Sequence, residues 1–103
     1  IITNGFNDVQ SIKIDNGNLR RYFRNIIVSE DHSLNKPDEA IFRLAEKMAG
    51  AQAGECAMVG DTFESDVQGA INAKWLPIYY NRNPPVKYEG IVISNLRELL
   101  NIF

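Results

Sequence analysis

The chain has one cysteine, one histidine and no cluster of basic residues, and each scarcity excludes something. Cys56 alone cannot close an internal disulfide, so no disulfide framework holds the fold. It lies in an apolar run and reads as a small buried hydrophobe. His32 stands in a polar stretch and reads as a surface residue rather than an acid–base catalyst. Arg20, Arg21 and Arg24 are few and mixed with aromatics, which suits a solvated helix face and argues against a nucleic-acid polymer as partner. No signal peptide is visible, and no apolar run is long enough to span a bilayer. A membrane partner is therefore not expected, and a reducing, cytoplasmic setting is the default. There are no internal repeats and no low-complexity tract.

What is present is ordinary in amount and informative in order. Eleven basic and 13 acidic residues give a net charge of −2, and 45% apolar content fits a globular chain. At 103 residues the sequence is expected to form a single domain near the lower end of comfortable core size. It begins on Ile1-Ile2-Thr3, which reads as the end of a strand. Since termini usually lie outside packed elements, a fragment of a longer protein is expected.

Ile1 to Gly5 reads as strand end and turn. Phe6, Val9 and Ile12 recur at helical spacing, with Asn16-Gly17 as the C-cap. A short helical turn over Leu19–Phe23 leads to Asn25–Ser29, a β-branched strand, and then to a polar loop, Glu30–Lys36. Pro37 suits the first position of a helix, with Asp38 and Glu39 at its positive end. Ala40, Ile41, Leu44, Ala45 and Met48 form its apolar stripe, Phe42 and Met48 are core positions, and Gly50 ends it. Cys56 to Val59 is a short apolar run without alternation, as in a buried parallel strand. Val67, Ala70 and Ile71 give the next helix its inner face. Leu76–Tyr80 is a strand beginning near Pro77, Asn81–Pro85 a loop, Ile91–Ile93 a last strand, and Leu96, Leu99 and Leu100 mark a closing helix. Trp75 and the Tyr79–Tyr80 pair are expected to pack the sheet. Alternating strands and helices predict an α/β fold: a three-layer, Rossmann-like parallel sheet with helices on both faces.

Three polar groups then fall at similar places. Thr3 ends the first strand, Lys36 opens the helix after the second, and Asp61 follows Gly60 at the end of the third, with Asp66 five residues on. In a parallel sheet the C-terminal strand ends share one edge, where α/β proteins place their ligands. A hydroxyl, an ammonium and a carboxylate there would suit a metal-bound phosphoryl group. Two acids at a strand end suggest a divalent cation, Mg²⁺, held by few carboxylates and a substrate phosphate. Singly, Thr-Asn-Gly is a turn, Lys36 a loop lysine, and the two aspartates helix-start residues.

Ile2-Thr3-Asn4-Gly5, Lys36-Pro37-Asp38-Glu39-Ala40-Ile41-Phe42, and Val59-Gly60-Asp61 with Asp66, Gly69 and Ala70 resemble, in order and spacing, the second to fourth motifs of the haloacid dehalogenase-like hydrolases. The resemblance covers almost the whole chain, and Ile-Thr-Asn-Gly-Phe with Lys-Pro-Asp-x-Ala-Ile-Phe is similar to the nucleotide 5′-phosphatase branch. It implies a Mg²⁺-dependent phosphatase acting on a small phosphorylated metabolite. Thr3, with backbone N–H groups at Asn4 and Gly5, would bind the transferring phosphoryl group, and Lys36 would steady it and the nucleophile. Asp61 would ligate Mg²⁺, and Asp66 would act from behind it, by hydrogen bond or through water.

The family's first motif, Asp-x-Asp, supplies the nucleophile, and no Asp-x-Asp occurs here. The resemblance thus implies a partial core domain over residues 1–103, without the first, central strand and the cap. An isolated chain of this kind is expected to be inactive and open to homodimerisation or strand swapping. Two rivals stand beside this reading: a non-catalytic remnant, and a receiver-like regulatory domain binding phosphate and Mg²⁺. The latter expects acids after the first strand and a lysine after the last, whereas here Lys36 precedes Asp61.

Overall fold

The computed structural model describes residues 1–83 and 87–103, so Pro84 and Pro85 of the expected Asn81–Pro85 loop lie outside the described residues. Among the described residues five strands are all paired in parallel, with helices between the first four and after the last, which is the expected α/β class. They form two sheets, β1–β2 and β3–β4–β5, and the chain divides into two compact units, residues 1–51 and 52–103.

In the first unit β1 (Ile2–Thr3) pairs with β2 (Ile27–Val28), Ile2 opposite Ile27 and Thr3 opposite Val28. The β-branched run Ile26-Ile27-Val28 supplies the buried strand: Ile27 and Val28 are 2% and 5% exposed. Helix α1 (Asn7–Asn16) forms where its spacing predicts, but its buried face is a different one. Phe6, Val9 and Ile12 are exposed, and only Ile14 is buried. The helix is docked through polar groups instead. Asn7 donates from its backbone N–H to Glu30 (3.3 Å) and from Nδ2 to Asp31 Oδ1 (2.6 Å). The C-cap falls at Gly17 as expected, yet the left-handed residue is Asn18, a type that tolerates that region. The short turn over 19–23 is a 3₁₀ helix, Arg20–Tyr22.

Part of the expected polar loop is helical: α2 (Ser29–His32) follows β2 without a gap. Helix α3 (Glu39–Ala49) begins two residues later than Pro37 implied. Asp38 is its N-cap, accepting the Ala40 N–H at 2.9 Å, so Pro37 lies outside the helix. Ile41 and Phe42 are fully buried, Leu44 and Ala45 half-buried, and Met48, in the last turn, is exposed rather than core. Gly50 ends the helix in the left-handed conformation at φ +66°, as expected of a C-terminal glycine.

In the second unit β3 (Ala57–Gly60), β4 (Leu76–Tyr80) and β5 (Ile91–Ile93) lie side by side in that order. Val59 is opposite Ile78, and Ile78 opposite Ile91. Cys56 is half-buried, its thiol donating to the Gln52 carbonyl, so it is not the fully buried hydrophobe expected. A helix follows β3, wound as a wide π turn through Phe63–Gln68 and continuing as α4 (Gly69–Asn72). Val67, Ala70 and Ala73 form its inner face, and Ile71 points away from it, 40% exposed. Trp75 and Ile78 are buried beside them. The closing helix, Leu96–Asn101, is 3₁₀ and capped by Asn95, whose Oδ1 accepts the Arg97 N–H at 2.9 Å. Leu96 and Leu100 are exposed, and Leu99 is half-buried. Among the described residues no helix is long and apolar enough to cross a membrane.

Candidate functional site

In the first unit Thr3, Asn4, Gly5 and Lys36 are drawn together by one side chain. The Asn4 carboxamide bridges to the Lys36 backbone from both ends: Nδ2 donates to Lys36 O at 3.0 Å, and Oδ1 accepts the Lys36 N–H at 2.9 Å. Two strand-end loops, distant by 32 residues in sequence, are thereby held in register. Among the described residues Thr3 Oγ1 reaches only the carbonyl of Asn4, at 3.5 Å, which leaves the hydroxyl loosely held and able to turn toward a ligand.

Gly5 sits at φ +151°, in a region closed to most side chains, and a Cβ there would overlap the Gln10 amide. Gln10 Nε2 in turn donates to Asn4 O at 3.2 Å, so the side chain that fills the space over Gly5 also fixes the turn. The Gly5 N–H, expected as a phosphate donor, is committed to Ser29: it donates to Ser29 Oγ at 3.1 Å, and that hydroxyl donates back to Gly5 O at 3.3 Å. Ser29 is 4% exposed. It holds the turn from beneath, a role that no spacing in the sequence marks out, because a serine after a β-branched strand is commonplace.

In the second unit Gly60, Asp61 and Asp66 form one local structure. Asp66 is 4% exposed, and its Oδ2 accepts the Thr62 N–H at 3.0 Å. Its carboxylate lies directly over Gly60, where a Cβ would overlap it. The glycine thus leaves the space in which an acid is seated on the backbone. Asp61, one residue on, is exposed, and its Oδ1 accepts from Thr62 Oγ1 at 3.3 Å. The two acids are differentiated: one is turned inward to hold the loop, the other left open to a ligand. Thr62, bonded to both, was not picked out by the motif spacing.

Asp61 also lines a cleft of 420 Å³ with Tyr79, Tyr80, Asn81, Arg82 and Asn83. The tyrosines were expected only to pack the sheet. Tyr79 does so, in an edge-to-face group with Phe63 (5.6 Å) and Tyr88 (6.1 Å), but both tyrosines also wall the cleft. Among the described residues no group of three or more His, Cys, Asp or Glu side chains gathers. Mg²⁺ favours octahedral oxygen coordination with few protein carboxylates and several waters or phosphate oxygens. An exposed Asp61 braced by a buried Asp66 fits as one arm of such a site.

Comparison with known proteins agrees with the motifs. The family model of haloacid dehalogenase-like hydrolases matches residues 1–74. The chain is 38% identical over 104 residues to pyrimidine 5′-nucleotidase YjjG of Escherichia coli, covering 96% of this chain and 46% of that protein. It is 38% identical over 105 residues to human N-acylneuraminate-9-phosphatase, covering 96% of this chain and 42% of the relative. The chain thus spans about half the length of these relatives. Among solved structures, a HAD phosphatase from Thermococcus onnurineus superposes with a TM-score of 0.84 at 33% identity, over 90% of this chain and 44% of its own. The HAD-hydrolase YfnB of Bacillus subtilis, bound to magnesium, gives 0.89 at 28% identity, over 99% of this chain and 47% of its own. A receiver-like domain is set aside by these matches, and the chain belongs to the haloacid dehalogenase-like hydrolases.

Proposed function

We propose that the protein containing this chain is a Mg²⁺-dependent phosphomonoester hydrolase acting through an aspartyl-phosphate on a small phosphorylated metabolite, with nucleoside monophosphates the first class to try. The observation that carries this reading is the Gly60–Asp66 structure, with one carboxylate buried against the backbone and its neighbour exposed in a cleft. Similarity to named phosphatases supports it.

In this account Asp61 is the metal arm, and Mg²⁺, when bound, offsets the charge of the phosphoryl oxygens. Asp66 holds the Thr62 N–H and so keeps Asp61 in place. Thr3 Oγ1 and the Asn4 backbone donate to the phosphoryl group. Gly5 contributes through the shape of its turn, its N–H being engaged by Ser29. Lys36, located by Asn4, supplies a positive charge to the phosphoryl group and to the attacking carboxylate. That carboxylate belongs to an Asp-x-Asp absent from these 103 residues, so the isolated chain is expected to release no phosphate and to be prone to self-association on sizing columns.

The test is phosphate release by the full-length protein across a phosphomonoester panel, with Mg²⁺ and with EDTA. Metal-dependent release, strongly reduced in Lys36→Ala, is the expected result. Release that EDTA leaves unchanged, or no release from any ester, would overturn the reading.

A further inference from the structure

The roles above leave unused the segment that follows β4, although Asn81, Arg82 and Asn83 form half of the lining of the cleft beside Asp61. At 420 Å³ the cleft lies in the size range of small-molecule sites. Among the described residues that line it, the one cation is Arg82. The Arg82 Nε donates to the Tyr80 hydroxyl at 2.7 Å, and the guanidinium carbon stands 5.7 Å from the Tyr80 ring centroid. An arginine fork has five N–H donors in a plane. With Nε spent on Tyr80, the Nη1–Nη2 end remains, and its paired N–H groups match the two oxygens of a carboxylate or phosphate.

Arg82 makes no ion pair with any described residue, so no described carboxylate competes for that end. The backbone beneath it is also tied. Asn81 Oδ1 accepts the Asn83 N–H at 2.8 Å, and Asn81 Nδ2 donates to Tyr79 Oη at 3.4 Å. One cleft therefore carries a carboxylate suited to a cation and a braced guanidinium suited to an anion. A neutral leaving group would use only the first.

We propose that Arg82 is a specificity residue that binds a second anionic group, a carboxylate or a further phosphate, carried by the leaving group of the substrate. This rests on the phosphatase reading for the position of the transferred phosphoryl group at Asp61. The discriminated part of the substrate is then the part that keeps its charge after phosphate departs.

The test uses the full-length protein with Mg²⁺ and a matched set: ethyl phosphate, 2-phosphoglycolate and ethane-1,2-diol bisphosphate. In Arg82→Gln the kcat/KM preference for an anionic ester over ethyl phosphate falls about ten- to a hundred-fold, the scale of a lost hydrogen-bonded charge contact. Arg82→Lys, which keeps the charge without the fork, retains part of it. A fall confined to phosphoglycolate assigns the site to carboxylate, and one confined to the bisphosphate assigns it to phosphate. Preferences that Arg82→Gln leaves unchanged overturn the proposal. Calorimetric titration of 2-phosphoglycolate separates this failure from that of the hydrolase reading. Arg82-dependent affinity without any turnover would sustain the anion site and sink the hydrolase, and Arg82-independent affinity would sink the anion site whatever the turnover.

Discussion

Replacing Gly60 by alanine places a Cβ closer than 3.0 Å to three atoms of Asp66: Oδ2, Cγ and Cβ. Overlap with Cβ and Cγ matters most, because those atoms cannot swing clear by a rotation at the end of the side chain. Either the β3–helix turn shifts, or Asp66 leaves its seat and gives up the Thr62 N–H in a position only 4% exposed. Overpacking of a tight site costs about 1–3 kcal/mol. A lost hydrogen bond to a charged group adds about 1.5–3 kcal/mol when the shift breaks it. A destabilisation of about 2.5–6 kcal/mol follows when the hydrogen bond is lost, and of about 1–3 kcal/mol when it survives, read as a lowered urea midpoint of the full-length protein at unchanged slope. Gly54→Ala is the control, since a Cβ there meets nothing within 4 Å and should change stability by less than about 0.5 kcal/mol. Asp66→Gly in the Gly60→Ala background removes the overlap, so the double-mutant cycle should couple by at least about 1 kcal/mol. A Gly60→Ala protein as stable as the Gly54→Ala control, or strictly additive effects, would show that Asp66 is not seated against Gly60.

Asn4→Ala removes both bonds to the Lys36 backbone and is expected to cost about 1–3 kcal/mol of stability, while Asn4→Asp, which keeps only the acceptor, restores little. Urea unfolding checks the cost, and a fall in kcat larger than the rise in KM would show that the clamp positions Lys36. Ser29→Ala leaves the Gly5 N–H without its acceptor in a nearly buried place, at a cost of about 1–3 kcal/mol by the same assay. Glu98 accepts backbone N–H groups from Asn95 and Ser94, which hold its carboxyl below the usual range. The stabilisation is fully present above the unfolded carboxylate value of about 4.3 and is lost as pH falls through the lowered folded value. Thermal unfolding of wild type against Glu98→Gln should therefore differ near neutral pH and converge at acid pH.

What could be read from residue types alone depended on how each element is held. Helix α3 was legible because its apolar spacing and Gly50 at its end agree, whereas its start was placed at Pro37, two residues early, because Asp38 was read as a first-turn acid and not as the cap. Strands β4 and β5 came out at their observed bounds, since each is a short run that stops at a polar residue, Asn81 and Ser94. Helix α2 was missed because Ser29-Glu30-Asp31-His32 is one polar turn with no period to detect. The inner face of α1 was misread for a related reason: it docks through Asn7 hydrogen bonds, which hydrophobic periodicity does not see. At the candidate site the resemblance already implied Asp61 in front and Asp66 behind it; what residue types did not show is the space over Gly60 in which the Asp66 carboxylate is seated. Arg82 sat in a stretch that read as a loop, and only the cleft gives it significance.

The central claim is that Asp61 is the metal arm and Asp66 its support. The direct measurement is phosphate release by the full-length protein as a function of Mg²⁺ concentration, for wild type, Asp61→Asn and Asp66→Asn, with unfolding followed in parallel. Asp61→Asn should leave stability nearly unchanged while turnover falls at least about a hundredfold and needs more Mg²⁺, the scale seen when one electrostatic group of an active site is removed. Asp66→Asn should lower both stability and turnover. An Asp61→Asn protein with the wild-type Mg²⁺ dependence and rate would contradict that role for Asp61.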